Sequence, residues 1–523
     1  MSRNDGRAAG APMTATAGGA LPGRSATALA AMIRGGEISA LECVDAHIAR
    51  IEEVNPQLNA VVVKRYDAAR AEARAVDEAR AAGHALPPLA GVPVTIKECL
   101  DLAGTPSTFG LVARKDAIAA EDSREVARIR AGGAIILGKT NVAQALLFVE
   151  SDNPVYGRTN NPHALDRTCG GSSGGEGAII AAKGSALGLG TDIGGSVRYP
   201  AAFCGISSIK PTAGRLPDAG TGSMPIGETA IMSQIGVMAR SVDDVALGLT
   251  QLDGGRSPDE PVVPLGDIAS VDVTRLRIGW YDEDGILPSS PAVKRAVREA
   301  VKALGAAGAT MVPWRPPGID EAAELALSIF AADGGAFLKQ LVAGGPVYPT
   351  LKDLIRTAGL PRPLLKILPG LLNALGQPSL AATARALGRT TTADYWRLNE
   401  QLAGYKRRFA EAMAHAESGP LDLILGPVCP LPAFPHGATR ELGVGGGHTL
   451  LYNVLGYPAG VVPVTTVRPD EQTGRPASRD IMLRAAARCD AGSAGLPVGV
   501  QIAARPWREH VALAAMHALE RRA

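Results

Sequence analysis

Short apolar runs alternate with segments of helical periodicity along most of the chain. Ser39 and Glu42 fit a capping box, and apolar residues follow them at three- and four-residue spacing, which predicts a helix. Runs rich in β-branched residues predict strands at 61–63, 91–96, 134–137, 186–191, 206–210, 235–239, 277–281, 310–314, 422–426, 460–466 and 497–503. Because helical segments separate these runs, we predict an α/β fold around one long sheet.

The domain organisation follows from the distribution of glycine and proline. The 62 glycines and 38 prolines are spread through the 523 residues, so no linker is evident. We therefore predict a flexible segment at 1–22 and a single domain at 23–523. The start of the chain lacks the apolar core of a signal peptide, and no apolar run approaches the ~18 residues of a membrane span. We expect a protein that is soluble or peripherally bound to a membrane.

Charge and cysteine content narrow the classes of function. The 53 Lys plus Arg residues nearly balance the 51 Asp plus Glu residues, which gives no sign of a nucleic-acid partner. We expect a small-molecule substrate or a protein partner. The six cysteines form no C-x-x-C pair and have no zinc-site spacing with the histidines. Reduced thiols in a cytoplasmic protein that binds no metal are the simplest interpretation.

The stretch GAIILGKT at 133–140 fits the nucleotide-binding pattern G-x-x-x-x-G-K-[ST]. A phosphate site needs a strand before the first glycine and an open loop between the two glycines. Here 122–130 predicts a helix, 134–137 predicts a buried strand between the glycines, and 138–141 predicts the turn that follows. This order is wrong for a nucleotide site, and we discount one.

The glycine-rich segment 169–212 contains partial matches to several catalytic motifs. Residues 171–175 fit the G-x-S-x-G nucleophile elbow, but none of the eight histidines is marked by the sequence as its base. Residues 207–210 fit S-x-x-K without the accompanying S-D-N and K-T-G motifs, and 188–194 is one residue too long for G-x-G-x-x-G. Residues 97–99 bring together Lys, Glu and Cys, but adjacent residues on a strand point to opposite faces.

Two serines and one lysine remain as candidates for nucleophilic catalysis. Ser172 and Ser196 lie in glycine-rich turns, and Lys97 ends an apolar strand. A serine is a poor nucleophile until a base takes its proton, and a lysine can do so only when neutral. For a lysine to be neutral near neutral pH, its pKa must fall by about 3 units from ~10.4. Burial can lower a lysine pKa by that amount. Gly194 and Gly195 leave backbone N–H groups unobstructed, as an oxyanion hole requires, although an ordinary tight turn is the alternative.

The sequence contains, in this order, GVPVTIKE (91–98), AIILGKTN (134–141), GGSSGGEGA (170–178), GTDIGGSVRYPAAFCG (190–205) and IKPT (209–212). Together these stretches resemble the amidase signature family, whose core motifs follow the same order. The stretches at 450–467 and 496–509 are similar to the fatty acid amide hydrolase subgroup of that family. The resemblance implies a large mixed, mostly parallel twisted sheet covered by helices on both faces, and it places GAIILGKT in the scaffold.

The resemblance also implies roles for individual residues in amide hydrolysis through an acyl-enzyme. Ser196 would be the nucleophile, Ser172 the bridging serine after a non-proline cis peptide bond, and Lys97 the base. Neither a metal nor a cofactor is implied. The implied oxyanion donors are the N–H groups of Ile193, Gly194, Gly195 and Ser196, and the implied supporting residues are Ser173, Asp192 and Arg198.

The composition of residues 351–376 gives a prediction about the substrate and the partners. They are apolar with interspersed basic residues, which is typical of a segment that meets lipid headgroups. The resemblance implies a membrane-facing helical cap at about 345–390, over a long acyl channel. A cover for the core and a homodimer interface are the alternatives. The prolines at 361, 363 and 369 predict that the segment is broken into short helices.

The substrate is predicted to be a hydrophobic or fatty N-acyl amide. By position, Leu146, Leu147 and Tyr452 are candidates for its acyl pocket. Two other functions stay open: a general or aryl amidase for short or aromatic amides, and the amide-hydrolysing subunit of a transamidation complex that binds proteins and tRNA. The balanced charge and the apolar segment at 351–376 weigh against the second of these.

Overall fold

Strands and helices alternate through the residues that the computed structural model describes, which are 21–216, 228–253, 263–443 and 446–522. Residues 1–20 of the predicted flexible segment lie outside these ranges, and Leu21–Gly23 forms a 3₁₀ turn. The strands are β1 (Val61–Lys64), β2 (Pro93–Lys97), β3 (Ile135–Thr140), β4 (Asp152–Asn153), β5 (Gly157–Arg158), β6 (Asn160–Asn161), β7 (Ala164–Thr168), β8 (Leu187–Asp192), β9 (Ser207–Lys210), β10 (Gln234–Ala239), β11 (Arg277–Trp280), β12 (Thr310–Pro313), β13 (Leu423–Pro427), β14 (Ala459–Thr466) and β15 (Pro497–Ala504). The α-helices are α1 (Ala26–Gly35), α2 (Ala40–Leu58), α3 (Tyr66–Ala81), α4 (Arg124–Ala131), α5 (Gly174–Ala181), α6 (Arg198–Cys204), α7 (Val242–Leu252), α8 (Pro291–Ala306), α9 (Ile319–Phe330), α10 (Ala336–Leu341), α11 (Pro349–Ala358), α12 (Arg362–Ala374), α13 (Pro378–Ala386), α14 (Thr392–Ala414), α15 (Thr439–Leu442), α16 (His448–Leu455), α17 (Ile481–Asp490) and α18 (Glu509–Glu520).

Eleven of the strands form one sheet, in the order β1-β3-β2-β8-β10-β9-β14-β15-β13-β11-β12. Strand β2 pairs in parallel with β3 and β8, and β11 pairs in parallel with β12 and β13. The other six neighbouring pairs are antiparallel. The α/β class and the large mixed sheet are confirmed, whereas the expectation of a mostly parallel sheet is wrong. A buried apolar run indicates that a strand is covered, but it does not indicate the direction of its neighbours.

The predicted strands correspond to the strands of this sheet, with one error of extent. The predicted turn at 138–141 is wrong because β3 continues to Thr140. Its residues Gly138 and Lys139 pair with Lys64 and Val63 of β1. The polar Lys139 is fully buried, so the sequence there looks like a turn although it lies inside the sheet.

Apolar clusters lie on both faces of the sheet. On β13, Leu423 and Leu425 belong to one buried cluster, whereas Ile424 belongs to another. Because alternate residues of a strand point to opposite faces, the two clusters lie on opposite sides of the sheet. The first cluster includes residues of α2, α7, α8 and α18, and the second includes residues of α9, α14 and α16.

Helices α11–α13 occupy the position of the predicted cap, and we call them the cap. The predicted break at Pro369 is wrong because α12 runs through it, while Pro363 stands in the first turn, where proline costs no helical hydrogen bond. One face of the cap leaves large apolar side chains exposed: Leu364, Ile367, Leu371 and Leu375. Among the helices of the described ranges, none is long and apolar enough to cross a membrane.

Candidate active site

Lys97 is the last residue of β2, and its side chain is fully buried. Its Nζ donates to the hydroxyl oxygen of Ser172 at 2.8 Å and to that of Thr191 at 2.7 Å. Strands β2 and β8 are parallel neighbours, so their carboxyl ends meet at the same edge of the sheet. This pairing explains why Thr191, near the end of β8, lies beside Lys97.

Ser172 lies in a turn between β7 and α5, after a cis peptide bond at Gly171–Ser172. The Ser151 hydroxyl accepts the N–H of Gly174 at 2.8 Å and donates to the carbonyl of Gly170 at 3.1 Å, which fixes the turn from outside. Gly171 has no room for a side chain, because a Cβ there would lie 2.8 Å from the carbonyl oxygen of Phe148. The backbone at Phe148 therefore lies directly against the serine turn.

Ser196 lies in the loop between β8 and α6, and it is half-buried whereas Ser172 and Lys97 are buried. The N–H of Ser173 donates to the carbonyl of Ser196 at 3.1 Å, which places Ser196 beside the other serine turn. The Ser173 hydroxyl donates to the carbonyl of Thr191 at 3.3 Å. The three residues predicted as a triad thus lie at one edge of the sheet. Ser196 is the most accessible of the three.

A buried ion pair holds the loop that carries Ser196. Arg198 Nε and Nη2 each donate to the carboxylate of Asp192 at 3.0 Å, and both side chains are fully buried. Burial by itself raises the pKa of Asp192, but the adjacent guanidinium of Arg198 and the charge of Lys210 hold that pKa well below its usual range. The carboxylate therefore stays ionised and keeps its loop partners.

The same arginine ties the loop to distant parts of the chain. Its Nη1 donates to the carbonyl of Thr449 at 2.9 Å and to Gln501 Oε1 at 3.1 Å. Its Nη2 also donates to Asn453 Oδ1 at 2.6 Å. In return, the Thr449 hydroxyl donates to the carbonyl of Gly194 at 2.8 Å. Helix α16 thereby fixes the loop from one side and β15 fixes it from another.

Gly195 requires the absence of a side chain, since its φ is +120° and a Cβ would lie 2.6 Å from Thr449 and Tyr199. Its N–H donates to Asp192 Oδ1 at 2.8 Å. That N–H is therefore used inside the loop, which differs from its predicted role as an oxyanion donor. Gly194 and Ile193 are half-buried at the turn itself.

A buried carboxyl group that the sequence analysis did not single out lies next to these residues. Glu176, on α5, accepts hydrogen bonds from the hydroxyls of Thr95 at 2.7 Å and Thr140 at 2.8 Å. Thr95 lies two residues before Lys97 on β2, so both side chains point to the same face. Burial raises the pKa of Glu176 to about 8, although both hydroxyls and Lys97 act to lower it.

This carboxyl group gives a prediction for the pH dependence of stability. Between the ordinary pKa of 4.5 and about 8, the folded protein keeps the Glu176 proton that the unfolded chain releases. The free energy of unfolding therefore falls as pH rises through this window. Glu176→Gln keeps the shape without the ionisation. We expect its stability relative to the wild type to increase by at least about 1 kcal/mol from about pH 5 to about pH 8.

Urea unfolding of both proteins at the two pH values measures this difference. An equal stability difference at the two pH values would contradict a proton held by Glu176.

The predicted pocket residues do not lie together. Leu146 and Leu147 pack on a small apolar cluster with Phe109 and with Leu351 of the cap. Tyr452 is fully buried in the cluster of α9, α14 and α16, where its hydroxyl lies 3.5 Å from that of Tyr281. Position along the chain did not separate these two environments, which belong to different apolar clusters.

Lys139 and Glu98, from two of the discounted motifs, have partners outside the site. Lys139 of GAIILGKT is buried on β3 and donates to the Ser107 hydroxyl at 2.9 Å. Glu98 accepts the N–H of Phe109 at 3.0 Å, so it points away from the Lys97–Ser172 contact, as the alternation of a strand predicts. Within the described ranges, no group of three or more His, Cys, Asp or Glu side chains could hold a metal ion.

Comparison with known proteins gives the family. A family model described as Amidase matches residues 42–513. The chain is 36% identical over 498 residues to a fatty-acid amide hydrolase 1 of Sus scrofa, covering 94% of this chain and 84% of that protein. It is 32% identical over 459 residues to an acetamidase of Emericella nidulans, covering 84% and 78%. A solved structure of a fatty acid amide hydrolase matches with a TM-score of 0.80 at 25% identity, covering 96% of this chain and 85% of that one. The chain therefore belongs to the amidase family, as its motifs predicted, and is an amide-hydrolysing enzyme.

Proposed function

We propose that this enzyme hydrolyses hydrophobic N-acyl amides through an acyl-enzyme on Ser196, with Ser172 and Lys97 carrying the proton. The observation that carries the proposal is the contact of the buried Lys97 Nζ with the Ser172 hydroxyl at 2.8 Å. A base behind a bridging hydroxyl, at the edge of a sheet and beside an accessible serine, is the arrangement that serine activation needs.

In the acylation step, neutral Lys97 takes the proton of the Ser172 hydroxyl while Ser172 takes that of Ser196. The Ser196 oxygen then forms a bond to the carbonyl carbon of the amide. The negative charge that develops on the carbonyl oxygen would be stabilised by the N–H groups of Ile193, Gly194 and Ser196. We leave Gly195 out of this set because its N–H donates to Asp192.

Collapse of this intermediate breaks the carbon–nitrogen bond. The proton returns from Lys97 through Ser172 to the leaving nitrogen, so that a neutral amine departs. In deacylation, a water molecule gives its proton to the same relay and attacks the ester carbonyl. The acid leaves and Ser196 recovers its proton, so Lys97, Ser172 and Ser196 return to their starting protonation states.

Two features support an apolar acyl group. Leu146 and Leu147 pack on the cluster that contains Phe109 and the cap residue Leu351, next to the backbone that lies against the Ser172 turn. The relative from Sus scrofa is described as a fatty-acid amide hydrolase. A second candidate, an amidase for short or aromatic amides, is favoured by the similarity to the acetamidase of Emericella nidulans.

The exposed apolar face of the cap supports peripheral contact with a lipid surface, from which an apolar amide could enter. Ile367 is 68% exposed and Leu375 is 61% exposed. An apolar face of this kind is also suited to a homodimer interface. Co-sedimentation with lipid vesicles and the mass in solution distinguish these two uses of the cap.

The substrate proposal predicts a steep dependence on acyl-chain length. For a series of amides from acetyl to long-chain acyl, we expect kcat/KM of the wild type to rise by up to about fourfold per methylene. This factor corresponds to burial of ~0.8 kcal/mol per CH₂. An aryl acyl amide in the same series tests the second candidate. An optimum at acetyl or aryl would overturn the fatty-amide substrate and would leave the triad intact.

A further inference from the structure

One glutamine joins the loop that carries Leu146 and Leu147 to the segment that leads into the cap. Gln144 is buried, with 5% of the residue exposed. Its Nε2 donates to the carbonyl of Pro346 at 2.8 Å, and its Oε1 accepts the N–H of Tyr348 at 2.9 Å. Both ends of the amide are thus used, and both bonds go to the residues that precede α11.

Tyr348 provides a third bond between the same two regions. Its hydroxyl donates to Asp152 Oδ1 at 2.9 Å. Burial and then the charge of Asp152 raise the pKa of Tyr348, so the phenol keeps the proton that it donates. Asp152 begins the short strand β4, four residues after Phe148. The segment before the cap is therefore bonded on both sides of the 145–148 loop, through Gln144 and through Asp152.

The loop that these bonds bracket has an unusual backbone. Ala145, Leu146 and Phe148 have φ values of 55°, 59° and 72°. These values lie in the left-handed region, which residues other than glycine rarely adopt. Such a conformation persists only when its surroundings fix it. The N–H of Ala145 donates to the carbonyl of Phe109 at 2.8 Å, and the cap residue Leu351 packs in the cluster that Leu146 and Leu147 contact.

The loop also contacts the turn that carries Ser172. The carbonyl of Phe148 lies against Gly171, the residue before Ser172, at a distance that excludes a Cβ. In the proposed function Leu146 and Leu147 form an apolar wall for the acyl group, so a displacement of the cap would reach this wall before it reached the Ser172 turn. Short acyl groups would need little of that wall, whereas long ones would use all of it.

We propose that Gln144 and Tyr348 are positioning residues that set the preference for long acyl chains, by holding the cap against the 145–148 loop. The inference rests on the proposed function, because it concerns the acyl half of the same substrate. Neither residue touches the reacting atoms. Their effect is on the ratio of kcat/KM for a long-chain amide to that for the acetyl amide.

The test uses Tyr348→Phe, which removes only the bond to Asp152, and Gln144→Met, which keeps the length of the side chain and removes both of its bonds. We expect the long-to-short ratio to fall about fivefold in the first variant and by a larger factor in the second. The matched control is Tyr66→Phe, which removes a tyrosine–carboxylate bond of 2.7 Å to Glu52, between α2 and α3. Its ratio should equal that of the wild type.

A role in stability alone would lower the rates for both amides together and leave the ratio unchanged, and this result would overturn the proposal. A lowered ratio in Tyr66→Phe as well would also overturn it, because the effect would not be specific to the cap. Failure of the proposed function has a different signature: the wild type itself would then show no rise of kcat/KM with chain length, and the positioning role would fall with it.

Discussion

Replacement of Ser196 by alanine should lower kcat by about 10⁴-fold or more for every amide that the enzyme hydrolyses. The reason is that no other atom would form the bond to the carbonyl carbon, although the loop would keep its shape. Asp192 holds that loop through Arg198 and the N–H of Gly195, and neither contact uses the Ser196 hydroxyl. Steady-state rates and the free energy of unfolding should be measured on the same preparations.

A matched control for this variant is Ser208→Ala. Within the described ranges, the Ser208 hydroxyl is buried on β9 and has no hydrogen-bond partner, so its loss should change the rate little. Intact-mass measurement during turnover should show an added acyl group on the wild type and none on Ser196→Ala. Activity of Ser196→Ala in a clean preparation would refute Ser196 as the nucleophile.

Replacement of Lys97 by methionine should slow acylation by a factor on the order of 10²–10⁴ and change the pH profile. Methionine fills a similar volume but accepts no proton, so the Ser172 hydroxyl would lose its base. In the wild type, kcat/KM should rise with pH as the base loses its proton, and this limb should be absent from the variant. Single-turnover rates across the pH range measure both effects.

Lys139→Met separates the loss of a base from the loss of any buried lysine. Lys139 is as buried as Lys97 and lies on the adjacent strand β3, where its Nζ donates to Ser107. We expect Lys139→Met to destabilise the fold and to keep the rising limb of the pH profile. If Lys97→Met kept that limb too, the base would have to be another group.

The elements of the sheet could be predicted because burial and β-branching mark each strand locally. The order and direction of the strands could not, since these depend on contacts between segments far apart in sequence. Lys139 illustrates the limit: a lysine next to a glycine suggests a turn, yet the carbonyl of Pro106 and the hydroxyl of Ser107 accept from it inside the sheet. Only the tertiary structure supplies those partners.

The same distinction holds within the site. Lys97, Ser172 and Ser196 could be selected because a lysine after an apolar strand and two serines in glycine-rich turns fit one chemistry. Thr191 and Ser151 were missed, although Thr191 lies inside a quoted motif, because a threonine or a serine carries no local sign of its partner. The contact of Thr191 with Lys97 follows from the parallel pairing of β2 with β8, which no single segment encodes.

The hydrogen bonds of Arg198 have a consequence for the order of events during translation. Its contact with Gln501 joins residues 303 positions apart, and Thr449 and Asn453 are also distant in sequence. A nascent chain that has emerged only as far as β8 and α6 already contains Lys97, Ser172 and Ser196. Of the four residues that accept from Arg198 in the structure, it contains only Asp192. The Ser196 loop gains all of these partners only when β15, the last strand of the sheet along the chain, has left the ribosome. Hydrolytic activity should therefore begin only after β15 has emerged, and shorter nascent chains should be inert towards cellular amides.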